Sequence, residues 1–578
     1  MEKYFYLILC LNFGIIVSVG AQQFAWARAF GSELTDAGNA TAVDDEENVI
    51  TVGFLGGRAD IDPGPDSTFV GGAGEQDIFI LKLDPFGNFI WGKSFGGRAR
   101  DRANTVAVDK DGSIYVSGFF NDTVDFDPGS GLHMLFAEQN ADVFILKLDR
   151  DGNTLWARKV TENIDTSANN DVNKVAVDAK GDVYVGGKFN GLVDFDPGIN
   201  KFLMGSRGSN DIFISKLDVS GNLIWAKQLG GLYDDAIYSL ALDKVPNIYV
   251  SGDFTAEVDF DPGEDSTNLV AASEKDAFIL KLNGDGQFLW VKQISGTGYE
   301  SANAIMSDEN QNVYVAGDYS DHADLNPGPD DYLVYAEAND NFVMKLDING
   351  NLVWVTTTGG IEHKYIDGLS VVNVNGKNEI YVLGQFMDSV FFGDPAQLTL
   401  KSLNNSQDIY LARIDDEGNF QAVVQIGGYS SDLGTSLVAK NTFDHTDLYL
   451  TGLYRNRIQD FDPGPDTFLI SATSGFNVFV LKLSDLITGV NQPEEGMIDA
   501  GLHVVPNPAN DEIRIDIPFQ LPTRVQLIDM MGNVLLNTYT YGTDKIIIVD
   551  ISEFKSGMYI VRMINGDIYR TEKIIIQR

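Results

Sequence analysis

The sequence has almost no cysteine and few basic residues. Of its 578 residues only Cys10 is a cysteine, and 41 lysines and arginines face 83 aspartates and glutamates, for a formal net charge of -42. This deficit excludes nucleic-acid binding, which requires clustered basic side chains, and it opposes docking on anionic membranes. Because no disulfide framework can form, an apolar core or bound ions must stabilise the fold.

Long apolar runs are also missing beyond the N-terminus. The only hydrophobic stretch that approaches membrane length runs from Leu7 to Val19, and small residues follow it before Gln22. This pattern is typical of a secretory signal peptide. We therefore predict that residues 1–21 are removed on export, that Cys10 leaves with them, and that the mature chain has no transmembrane segment.

An internal repeat dominates the rest of the chain. Each unit contains two short branched strands, a third strand similar to Asp-Ile-Phe-Ile-Leu-Lys-Leu-Asp, and a Gly-Asn turn that leads into a strand with tryptophan. A lone four-stranded sheet cannot bury both faces, so four strands per unit predict a propeller blade. We interpret the tryptophans as packing residues, because each starts a strand at the same position. They are Trp26, Trp91, Trp156, Trp225, Trp290 and Trp354, with Ala422 at the equivalent position of a seventh unit.

The repeat begins and ends out of phase. The chain starts with a tryptophan strand, Phe24 to Phe30, that has no partner before it, and its last repeated strand, Phe476 to Leu483, has no tryptophan strand after it. Pairing these two segments closes a ring and removes exposed sheet edges. We predict an all-β fold in which residues 22–484 form a seven-bladed β-propeller closed by the N-terminal strand.

The order of landmarks within the repeat resembles a known family. Its Gly-Gly…Asp…Ala-Val-Asp…Gly…Tyr-Val…Gly pattern is similar to the SBBP family of bacterial β-propeller repeats and, more distantly, to the NHL repeats. The resemblance covers roughly Phe24 to Ser484. It implies the fold but leaves the activity open, because such rings support binding, scaffolding and catalysis.

The C-terminal part differs in composition and pattern. Residues 485–500 contain Gln-Pro-Glu-Glu-Gly and no repeat landmark, which predicts a linker. Residues 501–578 alternate apolar and polar side chains, which predicts a small C-terminal β-sandwich. The alternating apolar residues are Ile513 and Ile515, Val525 and Leu527, Ile546 and Ile548, Tyr559 and Val561, and Ile574 and Ile576.

This tail also resembles a known domain. Val505-Pro-Asn-Pro-Ala509, Ser556-Gly-Met-Tyr-Ile-Val561 and the terminal Lys573-Ile-Ile-Ile-Gln-Arg578 are similar to blocks of the type IX secretion system C-terminal sorting domain of Bacteroidetes. The resemblance implies that residues 501–578 engage the type IX secretion machinery. It also implies that the protein is secreted or attached to the outer membrane or cell surface.

The most distinctive polar motif is Asp-x-Asp-Pro-Gly, in the connection between the second and third strands. Two carboxylates in such a turn can converge on Ca²⁺, which prefers oxygen ligands. The same residues also fit a type II turn, with proline second and glycine third, so both interpretations stay open. Strand alternation places these connections on the rim where the tryptophan strands end, which predicts one acidic rim. The candidate Ca²⁺ ligands are Asp60, Asp62, Asp125, Asp127, Asp194, Asp196, Asp259, Asp261, Asp460 and Asp462.

Catalytic motifs are scarce. The five histidines lie in unrelated contexts, and the chain has no His-Glu-x-x-His or Gly-x-Ser-x-Gly motif. The preferred function is therefore a non-catalytic exported propeller that presents loops to an extracellular protein or glycan. The alternative is a polysaccharide hydrolase or lyase with carboxylates on the acidic rim. Two close carboxylates in different environments in a central channel would favour the enzyme, and small residues such as Ala107, Ala176 and Ala241 there would favour binding.

Overall fold

The chain divides into two compact units, residues 1–488 and 489–578, in a computed structural model. The predicted signal peptide, and the predicted linker beyond residue 486, lie outside the residues that the structure describes. The described residues of the first unit are 23–486 except 128, 130, 165–169, 361, 363, 394–397, 403–405, 429, 443–444, 456–458, 465–466 and 472–474. Those of the second unit are 504–505, 512–516, 523–529, 534–540, 546–552, 554–565 and 568–576.

All regular elements of the described residues are strands, so the predicted all-β class is confirmed. No helix in this part of the chain is long and apolar enough to cross a membrane.

In the first unit the strands form antiparallel sheets of four, which we number by the position of their first strand in the chain. Sheet 1 contains Ala37–Val43, Val49–Leu55, Asp77–Leu83 and Phe89–Phe95; sheet 2 contains Arg102–Val108, Ile114–Asp125, Met134–Leu148 and Thr154–Lys159. Sheet 3 contains Asp171–Val177, Val183–Phe189, Asp211–Leu217 and Leu223–Leu229; sheet 4 contains Ala236–Leu242, Ile248–Phe254, Asp276–Leu282 and Phe288–Gly296.

The remaining sheets of this unit repeat the plan. Sheet 5 contains Glu300–Ser307, Val313–Asp324, Leu333–Leu346 and Leu352–Gly360; sheet 6 contains Lys364–Val374, Lys377–Phe386, Asp408–Ile414 and Phe420–Ile426. Sheet 7 contains Asp432–Asn441, His445–Tyr454, Asn477–Leu486 and, as its fourth strand, Gln23–Phe30. Sheets 4 and 5 are additionally joined where Phe288–Gly296 pairs with the end of Val313–Asp324.

Sheet 7 contains the pairing predicted for the two terminal segments. Gln23–Phe30 runs antiparallel to Asn477–Leu486, with Trp26 opposite Lys482 and Phe30 opposite Val478. Without this pairing, each of the two strands would have one edge with no hydrogen-bonded neighbour.

The first strands of the sheets contact one another in order, from sheet 1 through sheet 7, and the first strand of sheet 7 contacts that of sheet 1. Side chains bridge these contacts: Asn39 Nδ2 donates to the carbonyl oxygen of Ala103 at 2.8 Å. At the contact between sheets 7 and 1, Thr435 Oγ1 donates to the carbonyl oxygen of Gly38 at 2.6 Å. Each sheet therefore has a neighbour on both sides.

The core lies between neighbouring sheets and is built from the second and third strands. Every residue of Val49–Leu55 and of Asp77–Leu83 is buried. Ala107, Ala176 and Ala241 pack in these cores as well. Ala107 and Ala176 are only partly buried there, and a channel lined by these small residues stays a prediction.

Each tryptophan joins its own sheet to the next one. The indole N–H of Trp26 donates to the carbonyl oxygen of Pro85 at 2.9 Å, and Gly87, with φ 77°, lies against its ring. The same ring–glycine contact recurs for Trp91 with Gly152 and, further along, for Trp354 with Gly418. These contacts confirm that the tryptophans are packing residues.

Short hairpins extend the connections between second and third strands. They are Ala59–Asp60 with Phe69–Val70, Leu192–Asp194 with Leu203–Gly205, Glu257–Asp259 with Asn268–Val270, Ser389–Phe392 with Leu398–Lys401, and Gln459–Asp460 with Leu469–Ile470. Glu162–Asn163 adds to the second of them. In sheets 2 and 5 the long second and third strands form the hairpin themselves.

The second unit contains two antiparallel sheets. One consists of Val504–Val505, Glu512–Asp516 and Ile546–Asp550, and the other of Thr523–Asp529, Val534–Thr540, Gly557–Asn565 and Ile568–Ile576. They share one apolar core that includes Ile513, Ile515, Val525, Leu527, Val561, Ile574 and Ile576, as the alternation predicts. Val549 and Ile551 are buried in this core, whereas the side chains of Ile546 and Ile548 lie outside the described residues.

Candidate functional site

The Asp-x-Asp-Pro-Gly motif closes the connection that contains it. Asp259 Oδ1 accepts the backbone N–H of Asp261 at 3.1 Å and that of Thr267 at 2.8 Å. Asp261 Oδ1 in turn accepts the backbone N–H of Gly263 at 2.8 Å. The same three bonds recur in the copies that begin at Asp60, Asp125, Asp194, Asp324 and Asp460.

The predicted type II turn is wrong. A type II turn needs a positive φ at its third residue, and neither Gly64 nor Gly263 is among the described glycines with positive φ. The physical reason is that the second carboxylate of the motif accepts the glycine N–H, which forms an Asx turn. The glycine can then keep an ordinary φ.

The motif lies on the predicted rim. Gly31, at the end of a tryptophan strand, bridges to Asp60, and Gly230 bridges to Asp259 in the same way. Burial by itself would raise the pKa of Asp60, but hydrogen bonds from Ser67, Thr68 and Asp62 outweigh it and lower that pKa. No group of three His, Cys, Asp or Glu side chains able to hold a metal occurs in the described residues. Ca²⁺ binding by the motif carboxylates stays a prediction.

A second group of polar side chains occupies bulges in the first strands. In every sheet the pairing of the first and second strands skips one residue, and such a bulge re-aims the extra side chain. Four of the seven bulge residues are asparagine, and the other three break the pattern. The bulge residues are Asn39, Asn104, Asn173, Tyr238, Asn303, Asp367 and Thr435.

Tyr238 belongs to a cluster around Asp253, whose carboxylate is fully buried. The hydroxyl groups of Tyr238 and Tyr299 donate to Asp253 Oδ2 at 2.8 and 3.0 Å. Lys275 Nζ donates to Asp253 Oδ1 at 2.9 Å. Burial first, and then the negative charge of Asp253, raise the pKa of Tyr299 to about 12. The phenol therefore stays protonated and holds Tyr299 in place.

An open pocket of about 440 Å³ adjoins this cluster. Its walls come from loops of sheets 3, 4 and 5 on the rim that carries the Asp-x-Asp-Pro-Gly motifs. Asp234 is held by Ser209 Oγ at 2.5 Å and by Asn210 Nδ2 at 2.8 Å, and the first of these bonds is the main cause that lowers the Asp234 pKa. Tyr233 is 55% exposed at the pocket. The lining residues are Ser209, Tyr233, Asp234, Thr255, Glu274, Lys275 and Tyr299.

A pair of carboxyl groups lies in sheets 5 and 6. Asp318 accepts hydrogen bonds from Asn303 Nδ2 at 2.7 Å and Asn341 Nδ2 at 2.6 Å, and Asp367 accepts one from Gln385 Nε2 at 2.7 Å. Burial, reinforced by the nearby Asp367 charge, raises the pKa of Asp318 to about 8. Asp367 occupies an exposed position of its strand, so water opposes the desolvation that raises its pKa. Asp318 is thus the carboxyl of the pair that is poised toward the protonated form.

Sequence reasoning selected the motif carboxylates and missed the two clusters above. The structure spreads the predicted residues over separate connections, one motif per sheet, and brings none of the copies together into a shared site. The missed signal was the change from asparagine to Tyr238 and Asp367 at the bulge position, where a repeat departs from its own pattern. Because a bulge is visible only once the register is known, the position could not be recognised from spacing alone.

Comparison with known proteins identifies the tail. Residues 503–577 match the family described as a secretion system C-terminal sorting domain. The predicted destination is therefore confirmed: the protein is secreted or attached to the cell surface by type IX secretion.

The rest of the chain has distant relatives. It is 22% identical over 519 residues to an uncharacterised WD repeat-containing protein of Acanthamoeba polyphaga mimivirus, covering 73% of this chain and 36% of that protein. It is 25% identical over 146 residues to the regulatory protein FlaEY of Caulobacter vibrioides, covering 25% and 15% of the two chains. The chain thus spans 36% and 15% of the length of these two relatives.

Solved structures that are similar have low scores. The endosialidase of phage phi92 has a TM-score of 0.34 and 10% identity, with 96% of this chain and 87% of that chain covered. The extracellular region of plexin A4 has a TM-score of 0.25 and 9% identity, with 82% and 60% covered.

Proposed function

We propose that residues 22–484 form a seven-bladed β-propeller of the SBBP type, closed by the N-terminal strand, that serves as an extracellular binding module. Two observations support the ring: the first strands contact one another in a cycle, and Gln23–Phe30 completes the sheet of Asn477–Leu486. Residues 1–21 are the signal peptide, 485–500 the linker, and 501–578 the cargo signal for the secretion machinery.

The ligand of this module is a glycan, and the observation that carries this proposal is the rim pocket. Its volume of about 440 Å³ falls within the range of small-ligand sites. Tyr233 and Tyr299 offer aromatic faces, while Asp234, Glu274 and Lys275 offer charged hydrogen-bond partners. Aromatic rings and convergent polar groups together suit a hydroxyl-rich ring with apolar C–H faces.

A glycan array with the mature protein tests this function. Tyr233→Ala removes an exposed ring from the pocket and should weaken binding about tenfold, or ~1.4 kcal/mol. Leu232→Ala is the matched control. Leu232 is adjacent to Tyr233 in sequence and is 73% exposed, but it does not line the pocket. Equal binding by both variants, or capture of a protein ligand that Tyr233→Ala leaves intact, would contradict the proposal.

The enzyme alternative keeps its carboxylates on the acidic rim. There, Asp259 and Asp261 accept backbone hydrogen bonds that close their own connection. The amide donors around Asp318 likewise hold that carboxyl within the protein. These structural roles support the binding module as the preferred function.

A further inference from the structure

The ends of neighbouring sheets meet in a repeated polar junction. At four of these junctions, the residue that opens the third strand of one sheet lies near a residue at, or directly before, the start of the first strand of the next. Four junctions pair two acidic residues: Asp77 with Asp101, Asp211 with Asp235, Asp276 with Glu300, and Asp408 with Asp432. Two carboxylates removed from water repel each other and lose hydration, so a buried pair needs a compensating charge.

Two other junctions show such compensation within the chain. Between sheets 5 and 6, Lys364 opens the first strand, and its Nζ lies 2.9 Å from Asp340 Oδ1 with no exposed side-chain area. The ammonium also donates to the carbonyl oxygens of Asn339, at 3.3 Å, and Glu362. Between sheets 2 and 3, Lys159 Nζ lies 3.7 Å from Asp142 Oδ2, but it comes from the fourth strand of sheet 2. The Lys364 position thus accepts a positive charge surrounded by oxygen atoms.

The junction between sheets 4 and 5 has the oxygen atoms without the lysine. Asp276 and Glu300 are both 0% exposed. Asp276 Oδ2 accepts from Gln293 Nε2 at 2.6 Å. Its Oδ1, and both carboxylate oxygens of Glu300, have no hydrogen-bond partner among the described residues. One shared proton would serve only two of these three oxygens.

We propose that Asp276 and Glu300 bind a hard divalent cation of the Ca²⁺ class at the position equivalent to the Lys364 ammonium. Two carboxylates balance its charge, and oxygen ligands suit it. The carbonyl oxygens of Lys275 and Gly298 stand at the sequence positions equivalent to Asn339 and Glu362. They accept hydrogen bonds from the Glu300 N–H and from Ser273 Oγ, and each has a second lone pair for the ion. The site differs in every residue from the Asp-x-Asp-Pro-Gly motifs, and it does not depend on glycan binding.

Calcium binding and thermal unfolding of the full-length protein test this site. After removal of metal by EDTA, CaCl₂ should raise the unfolding temperature of the wild type, with a Kd of about 10⁻⁴–10⁻³ M. Glu300→Lys copies the Lys364 junction, so it should bind one equivalent less by equilibrium dialysis and should unfold in EDTA no lower than the wild type. Glu300→Gln should also lose one equivalent, but without the gain in EDTA.

A matched variant separates this site from the rim motifs. Asp261→Asn changes a motif carboxylate and should keep the equivalent that Glu300→Lys loses. Unchanged stoichiometry in both Glu300 variants would overturn the proposal. The proposal would also be overturned by a wild type that takes up no calcium at about 10 mM, well above the expected Kd, and that acidification stabilises instead. The carboxyl pair would then hold a proton and not a cation.

Discussion

At the scale of single residues, the turn glycines share one backbone conformation, and some of them also pack against the next sheet. Gly87 has φ 77°, and a Cβ added there would lie 2.8 Å from the Trp26 ring. Gly376 has φ 85° with nothing within 4 Å of an added Cβ. The two positions therefore share the backbone demand for glycine but differ in packing.

Alanine at these two glycines separates conformation from packing. Gly376→Ala should cost about 1 kcal/mol of unfolding free energy, because an L-residue resists positive φ. Gly87→Ala should cost roughly 1–3 kcal/mol more, since its methyl group also displaces the tryptophan ring. Urea unfolding of the two variants measures the difference, and equal costs would show that the ring contact contributes nothing.

Residue burial also sets a pH dependence. Asp318 is 3% exposed, and burial raises its pKa from 3.8 to about 8, so its contribution to stability is complete at low pH. As pH rises from about 4 to about 8, the unfolded chain ionises first and the stability is lost. Asp318→Asn should therefore flatten the fall in unfolding temperature over this range. The exposed Asp330→Asn variant should keep the wild-type slope, and equal slopes for both variants would contradict this assignment.

At the scale of elements, the Asp-x-Asp-Pro-Gly connection distinguishes hydrogen bonding from metal binding. Asp259→Ala removes the acceptor for Asp261 and Thr267 and should cost ~1–3 kcal/mol. Asp259→Asn keeps an acceptor oxygen and should cost clearly less if the side chain only closes the turn. If it instead ligates Ca²⁺, both variants should lose stabilisation by calcium equally, as thermal unfolding in CaCl₂ and in EDTA would report.

Strand identity and partner order were predictable from the sequence, whereas the polar site was not. The repeat of Trp26 and its equivalents marks strands because packing demands the same residue at the same place in each sheet. The pocket of Tyr233 and Tyr299 depends on how loops of three sheets meet, which no local pattern encodes. The positive φ predicted for Gly64 was wrong because its N–H bonds to the Asp62 carboxylate. This side-chain acceptor takes the place of the backbone acceptor of the predicted turn.

At the scale of the whole molecule, the second unit should act as a transferable export signal. Residues 489–578 form a separate unit that includes the sorting-domain match. Fused to a reporter with a signal peptide, they should deliver it to the medium or the cell surface of a bacterium with a type IX system. The same fusion should stay in the periplasm of a strain that lacks the machinery. Periplasmic retention in both strains would contradict an autonomous signal.

The proposed closed ring is the claim on which the proposed binding rim depends, because closure would bring the loops of all sheets to one circular edge. The most direct test is a disulfide between Gln23→Cys and Ser484→Cys, which are opposite each other in sheet 7. The predicted mature chain has no other cysteine. Under mild oxidation, mass spectrometry of a tryptic digest should find the two terminal peptides linked, whereas Glu33→Cys with Ser484→Cys should give no link. No link between positions 23 and 484 in the folded protein would contradict closure.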